Sequence, residues 1–233
     1  MLVEQAAESF ELWRGARPSS RHSRPQLGQD RVWWWRDHNP AATAFMQARL
    51  EQLHARDREA KLRHSWVPYD RIAVSLKRAV VVAEDAKFSD HEGFDWEAIE
   101  KAREKNRRKG KIVAGGSTIS QQLAKNLFLS GERSAWRKGQ EALITVMIEH
   151  VMDKRRILEI YLNVIEWGEG VFGAEAAARH YYGVGASALG VEQSARLAAM
   201  VPNPRFYDRN RNTAFLARRA QTILARMPQT ELP

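Results

Sequence analysis

Four charged residues in the middle of the chain have the chemistry needed to transfer a phosphate-activated group. Glu84 ends an apolar helical pattern, where the helix dipole disfavours an acidic side chain, and such a departure is typical of a functional position. With Glu141 as a second carboxylate, one of the pair could accept a proton while the other orients a group or stabilises charge. Lys125 and Arg137 could neutralise a phosphate leaving group. The set favours displacement of a sugar diphosphate by a hydroxyl over glycoside hydrolysis, whose leaving group needs a proton.

This hypothesis requires the four side chains to meet in one cleft. Arg137 and Glu141 are four residues apart on a predicted helix, with Lys138 beside them. An ordinary surface ion pair, worth a few tenths of a kcal/mol, is therefore the alternative interpretation.

A line of polar side chains is predicted on the helix that carries Lys125. Two glycines precede Ser117, which can cap this helix. Thr118, Gln121, Gln122 and Lys125 then follow with the spacing i, i+3, i+4, i+7, so they share one face. Hydroxyls, amides and a lysine in a line could bind sugars and phosphate. An amphipathic helix with a chance polar face is the other interpretation, and the stripe alone leaves both open.

The composition restricts the classes of partner and site. The 233 residues carry a net charge of +9, which favours an anionic partner such as nucleic acid, an anionic membrane surface or a phosphorylated substrate. The chain has no cysteine, which excludes disulfides and thiolate metal sites. We find no histidine pair with metal-ligand spacing, no nucleotide-binding glycine motif and no nucleic-acid motif. No apolar run approaches the roughly 18 residues of a membrane-spanning helix, and no secretory signal is visible.

Hydrophobic periodicity predicts a mainly α-helical protein with no internal repeat. Asp95 and Gly110 are the predicted start and stop of one helix, and Ser134 and Asp153 are predicted to cap two others. We expect helices over residues 41–63, 70–85, 96–108, 118–129, 135–152, 154–163, 173–182, 191–201 and 213–227, with a glycine-containing loop at 164–172.

The chain is predicted to have three segments: a poorly ordered basic arm at 1–31, a membrane-proximal segment at 32–63, and one domain at 64–233. Trp33, Trp34 and Trp35 stand beside charged residues, which suits a membrane–water interface, although a patch folded onto the domain is the alternative. The basic end of the helix at 96–108 could contact anionic lipid headgroups or substrate phosphates, but such runs are usually solvated faces.

Five segments of the chain resemble the ordered motifs of the peptidoglycan glycosyltransferases. These enzymes occur as the transferase domain of bifunctional penicillin-binding proteins and as stand-alone proteins. The segments are residues 84–93, 115–126, 137–141, 154–163 and 170–178. The resemblance covers residues 64–227, and no transpeptidase domain follows, so the chain resembles the monofunctional members of the family.

The resemblance implies roles for individual residues. Glu84 would be the general base that deprotonates the acceptor 4-hydroxyl, and Glu141 the second essential carboxylate. Lys125 and Arg137 would bind the donor diphosphate, with Lys138 nearby. The residues expected to line the cleft or hold its shape are Thr118, Gln121, Gln122 and Asn126. The residues expected to shape the motifs are Asp85, Phe88, His91, Gly93, Gly116, Ser117, Tyr161, Asn163 and Gly173.

The resemblance also implies a fold, a reaction and a location. The expected fold is lysozyme-like, with a larger lobe and a smaller membrane-proximal jaw lobe. The expected reaction polymerises lipid II into glycan strands with inversion at C1 and releases undecaprenyl diphosphate, on the periplasmic side of the inner membrane. Lipid II, the growing strand and the membrane surface would be partners, with cell wall synthesis or division proteins as further candidates and no nucleic acid. No residue demands a metal, although Mg²⁺ or Mn²⁺ could accompany the diphosphate.

The sequence departs from the family pattern at two places. The N-terminal anchor helix usual in the family is not visible, although residues 33–46 resemble the stretch that follows it. Val184 stands where many members carry a cation.

Two other functions are considered for this sequence. One is a lytic enzyme that cuts glycan strands with Glu84 and has less use for Lys125. The other is a basic scaffold or nucleic-acid-binding module, which leaves the polar stripe unexplained.

Overall fold

The computed structural model describes residues 28–111, 113, 115–128 and 135–233, and within them the chain is mainly helical. The predicted arm at 1–31 lies almost wholly outside these residues, so the division into three segments stays a prediction. In chain order the elements are α1 (Gly28–Asp37), α2 (Ala44–His54), β1 (Arg63–His64), α3 (Val74–Glu84), α4 (Trp96–Lys109), α5 (Ile119–Phe128), α6 (Ala135–Val151), α7 (Lys154–Val164), β2 (Glu166–Gly168), β3 (Val171–Phe172), α8 (Ala174–Tyr182), α9 (Val191–Met200), α10 (Pro204–Arg209) and α11 (Ala214–Arg226).

Local capping chemistry places most of the helix ends where the sequence predicts them. The Asp95 side chain accepts the backbone N–H of Ala98 at 2.8 Å to start α4, and Gly110 ends that helix in the left-handed region at φ 62°. Asp153 accepts the backbone N–H of Arg156 at 2.7 Å to start α7. These predictions are confirmed, whereas the predicted cap Ser134 lies outside the described residues.

The core forms where two groups of helices bury their apolar faces. α9 packs against α3 and α11, and α5 packs against α2, α6 and α7. The predicted apolar row of α5, Ile119, Leu123 and Leu127, is buried throughout. Both groups therefore help to hold α3 and α5, the helices that carry Glu84 and the polar stripe.

Two expectations about local structure are wrong. The helix predicted over 41–63 is only α2, because the chain then becomes extended and β1 pairs in parallel with β3. The segment 164–172 contains β2 and β3, which pair antiparallel with an irregularity, rather than a loop alone. One short helix, α10, was not predicted; Pro204 occupies its first turn, where no backbone N–H is needed.

The tryptophan cluster is largely folded onto the domain, and its role at a membrane stays a prediction. Trp35 is buried in the core and Trp33 packs partly against it, while Trp34 is 53% exposed. The cluster thus folds α1 onto the domain and leaves one indole at the surface. None of the helices described is long and apolar enough to cross a membrane.

Gly116 allows a close approach between two backbones. A Cβ at this position would lie 2.8 Å from the Ile99 Cα in α4, whereas a Cβ on Gly115 would meet nothing within 4 Å. We expect Gly116→Ala to lower the free energy of unfolding by about 1–3 kcal/mol because the α4 backbone must shift. Gly115→Ala is the matched control and should change it by no more than about 0.5 kcal/mol. Chemical denaturation of both variants tests the contact, and equal values would contradict it.

Candidate active site

A cleft of about 770 Å³ brings most of the predicted catalytic and substrate-binding residues together. Its walls come from α2, the end of α3, the exposed face of α5, the first turns of α6, β2 and residues 201–205. Glu84, Lys125 and Glu141 all line it, so three of the four charged residues on which the sequence hypothesis rests share one cleft, together with Lys138. The side chain of Arg137 lies outside the described part of the structure.

Glu84 is the last residue of α3 and is held in the wall of the cleft. Its side chain is only 10% exposed. Gln122 Nε2 donates to Glu84 Oε2 at 2.9 Å, and Arg219 Nη2 lies 3.5 Å from Oε1. No other described residue donates a hydrogen bond to the carboxylate, and Oε1 is buried without a hydrogen-bond partner.

The surroundings of Glu84 suit a general base. Burial raises the pKa of its carboxyl above the ordinary 4.5, and the neighbouring Asp85 charge adds to this, while Gln122 and the Arg219 charge oppose it. A base is more effective when its pKa lies closer to the working pH, provided that it remains ionised there. The wall therefore makes Glu84 more basic than an exposed glutamate.

Gln122 is in turn oriented from the core. The hydroxyl of Tyr161 on α7 donates to Gln122 Oε1 at 2.8 Å. Tyr161 is fully buried, and burial raises the pKa of its hydroxyl well above the usual value, so it stays a donor. This contact fixes the Gln122 amide with its NH₂ group toward Glu84. Tyr161 therefore acts on the Glu84 carboxylate through Gln122.

The residues after Glu84 hold the start of α5. Asp85 Oδ2 accepts the backbone N–H of Ile119 at 3.0 Å, and Asp85 Oδ1 pairs with His91 Nε2 at 2.9 Å. The backbone N–H of Gly93 donates to His91 Nδ1 at 3.1 Å, and Thr118 Oγ1 donates to the Gly93 carbonyl at 2.6 Å. Because a carboxylate stabilises a helix N-terminus, the first motif sets the position of the helix that carries Gln122 and Lys125.

The predicted polar stripe divides into two parts. Thr118, not Ser117, caps α5, since its hydroxyl accepts the Gln121 N–H at 3.2 Å while Gln121 Oε1 accepts the Thr118 N–H at 3.0 Å. Ser117 is exposed and lines the cleft instead. Gln121, Gln122 and Lys125 also line the cleft. Thr118 and Gln121 thus cap the helix, and the stripe from Gln121 onward forms a cleft surface.

Lys125 and Asn126 extend the cleft along α5. The amide of Asn126 donates to the Gln122 carbonyl at 2.8 Å, which fixes its side chain against the helix. Lys125 is exposed, and no described residue forms an ion pair or hydrogen bond with its ammonium group. An unpaired cation in a cleft is free to bind a substrate anion.

Glu141 is buried beneath the opposite wall. It forms an ion pair with Lys138 one turn earlier on α6. The ion pair with Arg137, the alternative interpretation from the sequence, involves a side chain outside the described part of the structure. Glu141 thus helps to fix the Lys138 ammonium at the cleft.

The remaining motif residues support the site from behind. Asn163 ties α7 to the preceding segment, because its amide donates to the Val67 carbonyl and accepts the Val67 N–H, both at 2.9 Å. A Cβ on Gly173, where φ is 82°, would lie 2.7 Å from the Asn163 carbonyl oxygen. Phe88 is fully buried, and the ammonium of Lys154 lies 4.6 Å from its ring centre. The structure thus places these residues in packing and backbone contacts.

Two features of the cleft were missed from the sequence. Arg219 on α11 reaches Glu84, and Arg49 on α2 forms a buried double hydrogen bond with Glu166 on β2, each at 2.8 Å. The partners are more than 100 residues apart in the chain, so no local spacing links them. The contact between Arg219 and Glu84 follows from the packing of α11 beside α3, which the sequence alone does not reveal.

Arg219 offers a test of the pKa of Glu84. If Glu84 is the base of the reaction, it must be ionised, so the acidic limb of kcat/KM should lie above 4.5, where activity falls as the pH drops through the raised pKa. Arg219→Gln removes a charge that lowers this pKa and should move the limb to higher pH. Arg218→Gln removes an exposed charge on the same helix and should leave the limb in place. A limb unmoved by Arg219→Gln would contradict the electrostatic role.

Comparisons with known proteins identify the family. A family model described as Transglycosylase matches residues 49–228. Three relatives named biosynthetic peptidoglycan transglycosylase are those of Chromobacterium violaceum, 66% identical over 86% of this chain and 88% of the relative, of Janthinobacterium, 62% over 87% of each, and of Herminiimonas arsenicoxydans, 63% over 87% of each. Residues 1–21 match a different model, the shikimate 5'-dehydrogenase C-terminal domain. The match over most of its length shows that this chain belongs to the transglycosylase family.

Proposed function

We propose that this enzyme polymerises lipid II into peptidoglycan glycan strands and releases undecaprenyl diphosphate. The observation that carries the proposal is the placement of a desolvated carboxylate, Glu84, in the same cleft as an unpaired cation, Lys125. The names of the relatives support the same reaction.

The proposed reaction is a direct displacement at an activated sugar. Glu84 accepts the proton of the acceptor 4-hydroxyl while that oxygen forms a bond to C1 of the growing chain. The bond between C1 and the diphosphate oxygen breaks with inversion, and the diphosphate leaves with the electron pair. Lys125 is positioned in the cleft to stabilise the developing negative charge, and Lys138, held by Glu141, adds a second cation.

A metal ion that takes part in the reaction would need ligands from the protein or from the substrate. The residues described include no cluster of three acidic or histidine side chains that could hold a metal ion. If Mg²⁺ or Mn²⁺ takes part, we propose that the diphosphate of the substrate supplies its main ligands.

We also propose that the enzyme works at a membrane surface, since its substrate is lipid-linked. Phe94 and Trp96 stack with ring centres 5.4 Å apart at the start of α4, and Trp96 is 58% exposed. The last turn of α4 carries Arg107, Arg108 and Lys109. An exposed aromatic pair and a basic helix end suit anionic headgroups.

We expect the protein to co-sediment with anionic liposomes but not with neutral ones. A protein that co-sediments with neither would contradict the proposed membrane contact. Inner-membrane location and contacts with cell wall or division proteins remain proposals from the family resemblance.

The experiment that tests the function is incubation of the purified chain with labelled lipid II, with products separated by glycan length. We expect a ladder of polymer. Shortening of preformed glycan without polymer would instead support a lytic enzyme. Salt-sensitive binding to nucleic acid, with no reaction on either glycan substrate, would support the scaffold alternative.

A further inference from the structure

The charged side chains of the cleft leave one guanidinium unexplained. Three carboxylates line it, and each has a cationic neighbour: Arg219 beside Glu84, Lys138 beside Glu141, and Arg49 beside Glu166. Among the described cations that line the cleft, only Lys125 and Arg205 have no acidic partner. The first is assigned above to the leaving diphosphate.

Arg205 lies on a different wall from Lys125. It is the second residue of α10, which follows the turn at 201–203, and it is partly buried. Within the described residues, its guanidinium forms no hydrogen bond. No described carboxylate neutralises this guanidinium, so it is available to bind an anion that enters the cleft.

The backbone that carries Arg205 is rigidly held. Asp208, one turn later on α10, accepts the backbone N–H of Glu169 at 3.1 Å, His180 Nε2 at 3.0 Å and Arg211 Nη2 at 2.9 Å. These donors come from the β2–β3 connection, from α8 and from the segment after α10. Because α10 is tied to two other parts of the fold, its backbone holds Arg205 at a fixed position beside the cleft.

We propose that Arg205 is a substrate-recognition residue that binds an oxyanion of the lipid-linked precursor, separately from the site at Lys125. This inference rests on the proposed function. A guanidinium suits either a carboxylate or a phosphate, since its fork of N–H donors matches both. In the precursor, those groups are the carboxylates of the stem peptide and the diphosphate of the acceptor.

The test compares Arg205→Gln with wild type on two substrates, one with its natural stem peptide and one whose peptide carboxylates are amidated. We expect Arg205→Gln to raise KM about 10- to 100-fold on the natural substrate, with little change in kcat. Arg205→Lys should recover part of the loss, because it keeps the charge but not the fork. Arg218→Gln is the matched control, since it removes one exposed charge outside the cleft.

The two substrates identify the bound group. If the Arg205→Gln effect disappears on the amidated substrate, the partner is a peptide carboxylate, and if it persists unchanged, the partner is a phosphate. An Arg205→Gln variant that matches Arg218→Gln on both substrates would overturn the inference, as would a loss of kcat at unchanged KM. Binding of the labelled natural substrate is measured in parallel. A wild type that binds through Arg205 without polymerising would contradict the proposed function alone.

Discussion

Glu84→Gln should slow glycan-strand synthesis by about 10²- to 10⁴-fold, the range in which a general base contributes. Glutamine keeps the size of the side chain but cannot accept the proton of the acceptor hydroxyl. The loss should appear in kcat, with KM little changed, because the base acts in the transition state rather than in substrate binding.

The thermal stability of Glu84→Gln is the control that separates a loss of the base from a loss of the fold. The pKa of Glu84 is raised in the folded protein, so at neutral pH the ionised carboxyl lowers stability, and protonation relieves this as the pH falls. We therefore expect the variant to unfold at the same or a higher temperature than wild type at pH 7, with the difference shrinking toward acid pH. Undiminished polymerisation would move the base elsewhere. A destabilised variant would contradict the description of Glu84 as a buried and costly charge.

Lys125→Met should reduce kcat by about 10²- to 10³-fold, because a cation that stabilises the leaving diphosphate is lost from the transition state. Methionine preserves much of the apolar stem of the side chain. Lys61→Met removes an exposed positive charge that lies outside the cleft and should leave the rate unchanged.

This variant also separates the two enzymatic interpretations. A lytic enzyme protonates its leaving group and needs no cation there, so cleavage of preformed glycan would survive Lys125→Met. We expect Lys125→Arg to retain more polymerisation than Lys125→Met, since it keeps the charge. Equal rates for wild type and Lys125→Met would contradict the role given to this residue.

The elements that were predicted correctly depend on contacts between residues close in sequence. Asp95, Gly110 and Asp153 mark helix ends because their effects act within one turn. The buried row of α5 followed from a spacing of four residues. The family resemblance added the candidate site, because its motifs name residues whose proximity no local pattern reveals.

The features that were missed depend on distant parts of the chain. β2 and β3 are too short for a period to show, and their third strand, β1, comes from a distant part of the chain. Ser117 and Thr118 could both cap α5 by sequence alone. The choice of Thr118 is made by the Gly93 carbonyl, which accepts its hydroxyl. The contacts of Glu84 with Arg219 and of Arg49 with Glu166 likewise follow from tertiary packing.

The most direct test of the central claim is a count of undecaprenyl diphosphate released per glycosidic bond formed from labelled lipid II. If the cleft performs direct transfer, wild type should release one equivalent for each new bond, and Glu84→Gln should lose both products together. Diphosphate release without new bonds, leaving free reducing sugars, would show that water and not the 4-hydroxyl is the acceptor, and would contradict the account.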